Sequence, residues 1–204
     1  MTGRFTAAAF ALGFVLAASP GWADSENPDW PCVQRKVPSL TPAAVWTGPG
    51  FESAEGRWSD DEEVRRLVNT LSQRRLPLDE AEVMIEAFAA EAGDDATRRL
   101  TLLFAGLFET MNAERGEIMD GIERYGRRQK ALAEGVREKS AEVDALRETP
   151  DVDPIALERA ETDLIWQIRI FNERRSSLQY VCEVPRFVEQ RLFALGRAIS
   201  RAIP

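Results

Sequence analysis

The chain has 204 residues, with 34 acidic against 26 basic side chains, a net charge of −8 and no histidine. That acidity opposes nucleic acid or an anionic lipid surface as the main partner, since like charges repel. The missing imidazole removes Ser-His and Cys-His catalysis, c-type haem attachment, the usual zinc sites and the Glu-x-x-His motif of di-iron bundles.

Residues 1–23 read as a cleavable secretory signal. Arg4 and the amino group give a positive start, residues 5–18 are apolar and uncharged, and Pro20 breaks the run. Gly21-Trp22-Ala23 places small residues where a signal peptidase reads, so cleavage is expected after Ala23. An uncleaved anchor is disfavoured, because a run of about 14 residues is short for a membrane span. The expected location is periplasmic or secreted. Cleavage removes Arg4 and takes the net charge from −8 to −9. The mature chain is long enough for one domain with its own core.

The two cysteines, Cys32 and Cys182, are expected to pair in an oxidising compartment. Closing so long a loop is worth roughly 4–5 kcal/mol in the chain-entropy picture. A redox dithiol would need a close Cys-x-x-Cys pair, and the Trp30-Pro31 that precedes Cys32 is no lipobox.

Residues 24–58 form a distinct segment, punctuated by Pro28, Pro31, Pro38, Pro42 and Pro49 and holding Trp30, Trp46 and Trp58. Proline this dense forbids a helix and favours extended or turn structure. The segment reads as an arm lying on a helical body, anchored by its tryptophans and tied by Cys32. The functional alternative is an aromatic platform for a sugar or peptide.

Residues 59–204 read as helical. Ser59 with Glu62 makes a capping box for a helix to about residue 73, with Val64, Leu67, Val68 and Leu71 inward. A second helix starts near Asp79, turns Val83, Met84, Ala87 and Phe88 inward, and stops at Gly93. Asp94 or Asp95 then caps a very long helix to about Glu148. Gly106, Gly116, Gly121, Gly126 and Gly135 weaken it, each by up to about 1 kcal/mol. After a Pro-Asp turn, Asp153 caps a fourth helix with Pro154 at its first position. Pro185 is expected to kink or break that helix, with a last helical stretch to about residue 202.

Apolar residues recur at heptad spacing on both long arms: Phe104, Leu107, Met111, Ile118, Ile122, Tyr125, Leu132, Val136, Val143 and Leu146, then Leu157, Leu164, Ile168, Phe171 and Leu178. Such a seam predicts coiled-coil packing, and the short turn forces the arms antiparallel. The register sets Lys139 beside Asp163 and Gln129 near Arg175. Around residues 100–111 the apolar face widens beyond what two helices need, which predicts a compact head formed with the first two helices and the last. Residues 137–165 are thin in apolar side chains and carry nine acidic against four basic groups. The expected fold is all-α: a long antiparallel coiled-coil hairpin projecting from a small helical-bundle head, with an extended Pro/Trp-rich arm. The stalk is placed at about residues 120–180, with arms reaching roughly 45 Å at 1.5 Å per residue.

Candidate chemistry is sparse. The runs Asp60-Asp61-Glu62-Glu63 and Asp94-Asp95 lack the alternating pattern of a calcium loop and read as helix caps. Asp151 and Asp153 read as turn and cap residues. Glu109, Glu117, Asp120 and Glu123 read as a solvated face rather than an acid-base pair. The serines lack a Gly-x-Ser-x-Gly elbow, and no glycine-rich phosphate loop occurs. Arg186, Arg191, Arg197 and Arg201 beside an apolar face would suit a membrane-surface helix. Packing on the third helix is the simpler fate. No cofactor or metal is implied. The expected function is a non-enzymatic interaction or adaptor protein of the cell envelope. Its candidate contact residues are Trp30, Trp46, Trp58, Asp151 and Asp153, and its expected partner is another envelope protein. The alternatives are a small-ligand-binding protein with a pocket lined by Trp30, Trp46 and Trp58, and a holdase-type chaperone.

Overall fold

The computed structural model describes residues 27–51 and 54–204. The signal segment and the first residues of the arm lie outside that range. Four α-helices carry the fold: α1 (Glu62–Leu71), α2 (Leu78–Ala92), α3 (Ala96–Glu148) and α4 (Pro154–Ala202). Among the described residues there is no strand. The two long helices, of 53 and 49 residues, run antiparallel as one hairpin. The turn between them is as the sequence predicts. Asp153 accepts the Ile155 amide at 3.0 Å, Pro154 opens α4, and Asp151 takes a positive φ of 60°. Aspartate tolerates that left-handed conformation better than most residues.

The head forms where the apolar face of α3 widens. Leu100, Leu103, Phe104, Leu107 and Met111 have no exposed surface, and they meet Val64, Val68 and Leu71 of α1, Ile85 of α2 and Val188, Leu192 and Ile199 of α4. Of the apolar residues there that would suit a membrane, Val188, Leu192, Leu195 and Ile199 are taken up by the core, whereas Phe187 and Phe193 stay exposed. No helix of the described residues is long and apolar enough to cross a membrane.

Four local expectations are corrected. The cap of α1 is Asp61, not Ser59, which lies in a 3₁₀ turn (Trp58–Asp60). The Asp61 carboxylate accepts the Glu63 and Val64 amides at 3.1 and 3.2 Å, and Arg99 of α3 holds it there. At the start of α3, Asp95 makes no side-chain cap and pairs with Arg98 instead. On α2 the inward residues are Ala81, Ile85 and Phe88, whereas Val83 and Ala87 face out. Finally, α4 runs unbroken through Pro185. The ring is buried between Cys182 and Val188, so packing and the disulfide offset the lost helix bond. The adjacent Cys182 carbonyl takes a bond from the Gln34 side chain at 2.5 Å.

Beyond the head the hairpin thins to two helices. Leu132, Val136, Val143 and Leu146 face Leu157, Ala160, Leu164 and Phe171 at steps of three, four and seven, all partly or fully buried. Ile168 and Arg175 turn outward, and Gln167 and Arg174 take their places at the seam. Register is fixed by polar bonds across it: Tyr125 Oη donates to the Arg174 carbonyl at 2.7 Å, Gln129 Nε2 to the Phe171 carbonyl at 3.0 Å, and Arg147 to Glu161 at 2.8 Å. Lys139 pairs with Glu142 of its own helix at 2.8 Å, with the charge of Asp163 acting on it more weakly from α4.

The arm lies along this hairpin, antiparallel to α3. Two helix glycines act as notches for it. A Cβ on Gly126 would collide with the Asp29 carbonyl and the Pro31 ring, and one on Gly196 would approach the Val45 carbonyl to 2.5 Å. At Gly116 a Cβ would meet nothing. Glycine in a helix costs up to about 1 kcal/mol against alanine, so the two kinds of site separate cleanly. Gly116→Ala is expected to raise stability by about 0.5–1 kcal/mol, and Gly126→Ala to lower it by about 1–3 kcal/mol through displacement of the arm. Denaturant unfolding of the two variants checks both signs.

Candidate functional site

Polar and aromatic side chains gather at three places, and the candidate contact residues fall at the first and the third. The first is the arm groove. Trp46 is buried, stacks on Phe104 with centroids 4.0 Å apart, and donates from Nε1 to the Pro49 carbonyl at 2.7 Å. Trp58 donates to Glu109 Oε2 at 2.7 Å and lies over Gly106, where a Cβ would approach its ring to 2.7 Å. Positions 104 and 106 are about 200° apart on a helix, so these two indoles sit on opposite sides of α3. Trp30 is near the disulfide, with Nε1 donating to the Gln34 carbonyl at 2.7 Å. The three indoles therefore do not converge on one pocket, which removes the geometry that the ligand-binding alternative required.

Cys32 and Cys182 are bonded, with their Cα atoms 5.7 Å apart. That pairing agrees with an oxidising compartment. Around it runs a polar stripe of α3 that the sequence reading missed. Asn112 Oδ1 accepts the Leu40 amide at 3.0 Å, and Arg115 donates to the Val37 carbonyl and to Glu189 of α4, both at 2.6 Å. Lys36 pairs with Glu123 at 2.5 Å, and Lys130 bonds the Pro28 carbonyl. Glu109 accepts both the Gly56 amide and Trp58. Glu109 and Glu123, read from sequence as a solvated face, are thus anchors of the arm. The signal was present: Glu109, Asn112, Arg115, Glu123, Gly126 and Lys130 share a face at steps of three and four, or their multiples. A cleft of about 340 Å³ remains between arm and hairpin, lined by Trp30, Gln34, Arg115, Cys182 and Glu189. Gln34, Arg115 and Glu189 already hold partners there.

The second place is the junction of α1, α2 and α3. Arg99 grips Asp61 with two bonds of 3.0 Å, reaches Glu63 at 2.7 Å and lies 4.6 Å over the Phe88 ring. The Arg99 guanidinium and the two helix amides hold the Asp61 carboxyl below the usual carboxylate range against a smaller opposing effect of burial. Nearby, the buried Arg191 donates to the Leu71 carbonyl at 3.1 and 2.8 Å and to the Leu76 carbonyl at 2.7 Å. It closes the C-terminal end of α1, where a positive charge is favoured. Burial pulls its pKa down.

The third place is the stalk. The arm's contacts end at Lys130, so the bare two-helix portion begins near residue 131 rather than at 120. It extends about 27 Å along α3. Asp151 is exposed at its end, and Asp153 is engaged in capping. No three His, Cys, Asp or Glu side chains among the described residues gather as a metal-ligand set. Comparison with known proteins gives no match to a family model, a curated protein or a solved structure.

The Asp61 cluster sets a pH dependence. Because the folded carboxyl is more acidic than the unfolded one, its contribution is complete well above the ordinary aspartate value of about 3.9 and fades as pH falls through the lower folded value. Asp61→Asn, which keeps the cap but loses the charge, is expected to cost about 1–3 kcal/mol near neutral pH. The difference from the unsubstituted protein should shrink steadily below pH ~4 in urea unfolding series.

Proposed function

We propose that this chain is an exported, non-enzymatic adaptor of the cell envelope that presents its stalk to another envelope protein. The observation that carries the reading is the bare end of the hairpin. There, two helices project past the last arm contact, with nine acidic groups against four basic ones over residues 137–165. Such an end adds nothing to the head core. A rigid acidic rod suits a basic surface on its partner, which it would find by electrostatic steering. Compartment supports the same reading: the leader-like residues 1–23 and the Cys32–Cys182 bond both fit an oxidising space outside the cytoplasm.

A photo-crosslinking amino acid at Asp151, in intact cells, tests the reading. The expected result is one discrete adduct with a different envelope protein, lost when Glu148 and Glu158 are both replaced by arginine in a chain that still folds. Capture of nothing, or capture unchanged by the charge reversal, contradicts it.

A further inference from the structure

One face of the stalk is unlike the rest. Within residues 131–179, the exposed large apolar side chains are Ile155, Ile165, Trp166, Ile168 and Ile170, all on α4 and none on α3. Ile155, Trp166 and Ile170 are 66%, 55% and 45% exposed, and they share a line with Arg159, Thr162, Glu173 and Ser177. The steps along this line are four, three, four, four, three and four, which keeps all seven residues on one face of a helix. Every one of the seven is exposed. The line is symmetric about Trp166 in position and antisymmetric in charge: Arg159 lies seven residues before it and Glu173 seven after.

We propose that this face binds a second copy of the same chain, α4 against α4 in antiparallel array, with the two-fold axis at Trp166. In that arrangement Trp166 meets its own counterpart. Arg159 faces the second copy's Glu173, and the same pair recurs on the other side of the axis, as an isologous interface requires. Thr162 faces the second copy's Ile170, and Ile155 its Ser177. A parallel array would set arginine against arginine and glutamate against glutamate, which is unfavourable. Arg159 has no ion pair among the described residues, and Glu173 is paired only within its own helix, to Arg169 at 2.9 Å. Arg159 is therefore unengaged, and Glu173 has only an exposed pair within its own helix to exchange for one with a partner. The overlap would run for about 33 Å along α4. It would make four helices of each bare pair and send the two heads to opposite ends. The bulk of Trp166 at the axis supplies the kind of central aromatic anchor that dominates interface energetics.

Sedimentation equilibrium of the oxidised protein, with circular dichroism to verify folding, tests this. The expected mass is twice the 22.9 kDa of the chain, less any leader removed. Arg159→Glu and Glu173→Arg, each alone, turn two attractive pairs into two repulsive ones and should raise the dimer dissociation constant at least about tenfold. The doubly swapped chain should recover the dimer, and so should an equimolar mixture of the two single variants, because their charges are complementary only to each other. A folded monomer at all concentrations overturns the proposal. So does a dimer that is indifferent to both charge reversals, or one that the mixture of single variants fails to restore.

Discussion

An extended peptide makes few hydrogen bonds to itself, so an ordered arm must find partners for its backbone elsewhere. In this protein those partners are a stripe of side chains on α3. Arg115 and Lys130 take arm carbonyls, Asn112 and Glu109 take arm amides, and glycines at 126 and 196 let the arm backbone come against the helices. The Cys32–Cys182 bond fixes the arm to the opposite helix. The arm thus joins α3 to α4 on the outside, over a stretch where the hairpin has no third helix to cover it. Trp46 and Phe51 complete the connection by entering the head against Phe104. Each such aromatic contributes about 1.5–3 kcal/mol on burial.

This arrangement divides the molecule mechanically. From α1 to about residue 130 of α3 the hairpin is braced by core, arm and disulfide. Beyond that point it relies on a two-helix seam, and at the boundary the Gln129 Oε1 acceptor is buried with no hydrogen-bond partner among the described residues. A buried acceptor of that kind costs stability while specifying register. The bare segment is also where apolar side chains are exposed in an ordered line, so the thinnest part of the fold has the most to gain from association.

The hairpin was legible because heptad spacing and a Pro-Asp turn are local signals, read without knowledge of the partner. The head was legible for a related reason: the run from Leu100 to Phe108 is apolar on too many sides for a two-helix seam. The arm's attachment was not. Glycines within α3 read as weak points, since nothing local tells a helix defect from a notch for a passing chain. Arg191 was placed on a polar face because its partners are carbonyls at Leu71 and Leu76, more than a hundred residues away and silent in a charge pattern. The cap at Asp61 over Ser59 was decided by Arg99, again a distant residue. Pro185 was read by its local effect on a helix, and tertiary packing overrode it. Of the contact residues named from sequence, Cys32 and Cys182 are bonded as expected. The tryptophans proved to be separate anchors, and Asp153 is a cap. Trp166, set in an otherwise ordinary amphipathic helix, drew no notice because its symmetry with Arg159 and Glu173 emerges only once the exposed face is known.

The central claim is that the arm is an integral strut of the hairpin. Hydrogen–deuterium exchange on the oxidised and the reduced protein tests it most directly. The Leu40 amide, held by Asn112, is expected to exchange slowly in the oxidised protein. Reduction should accelerate exchange along residues 29–47 and at the facing stretches of α3 and α4, while α1 and α2 stay protected. An arm that exchanges at the rate of a free peptide in the oxidised protein would contradict the account.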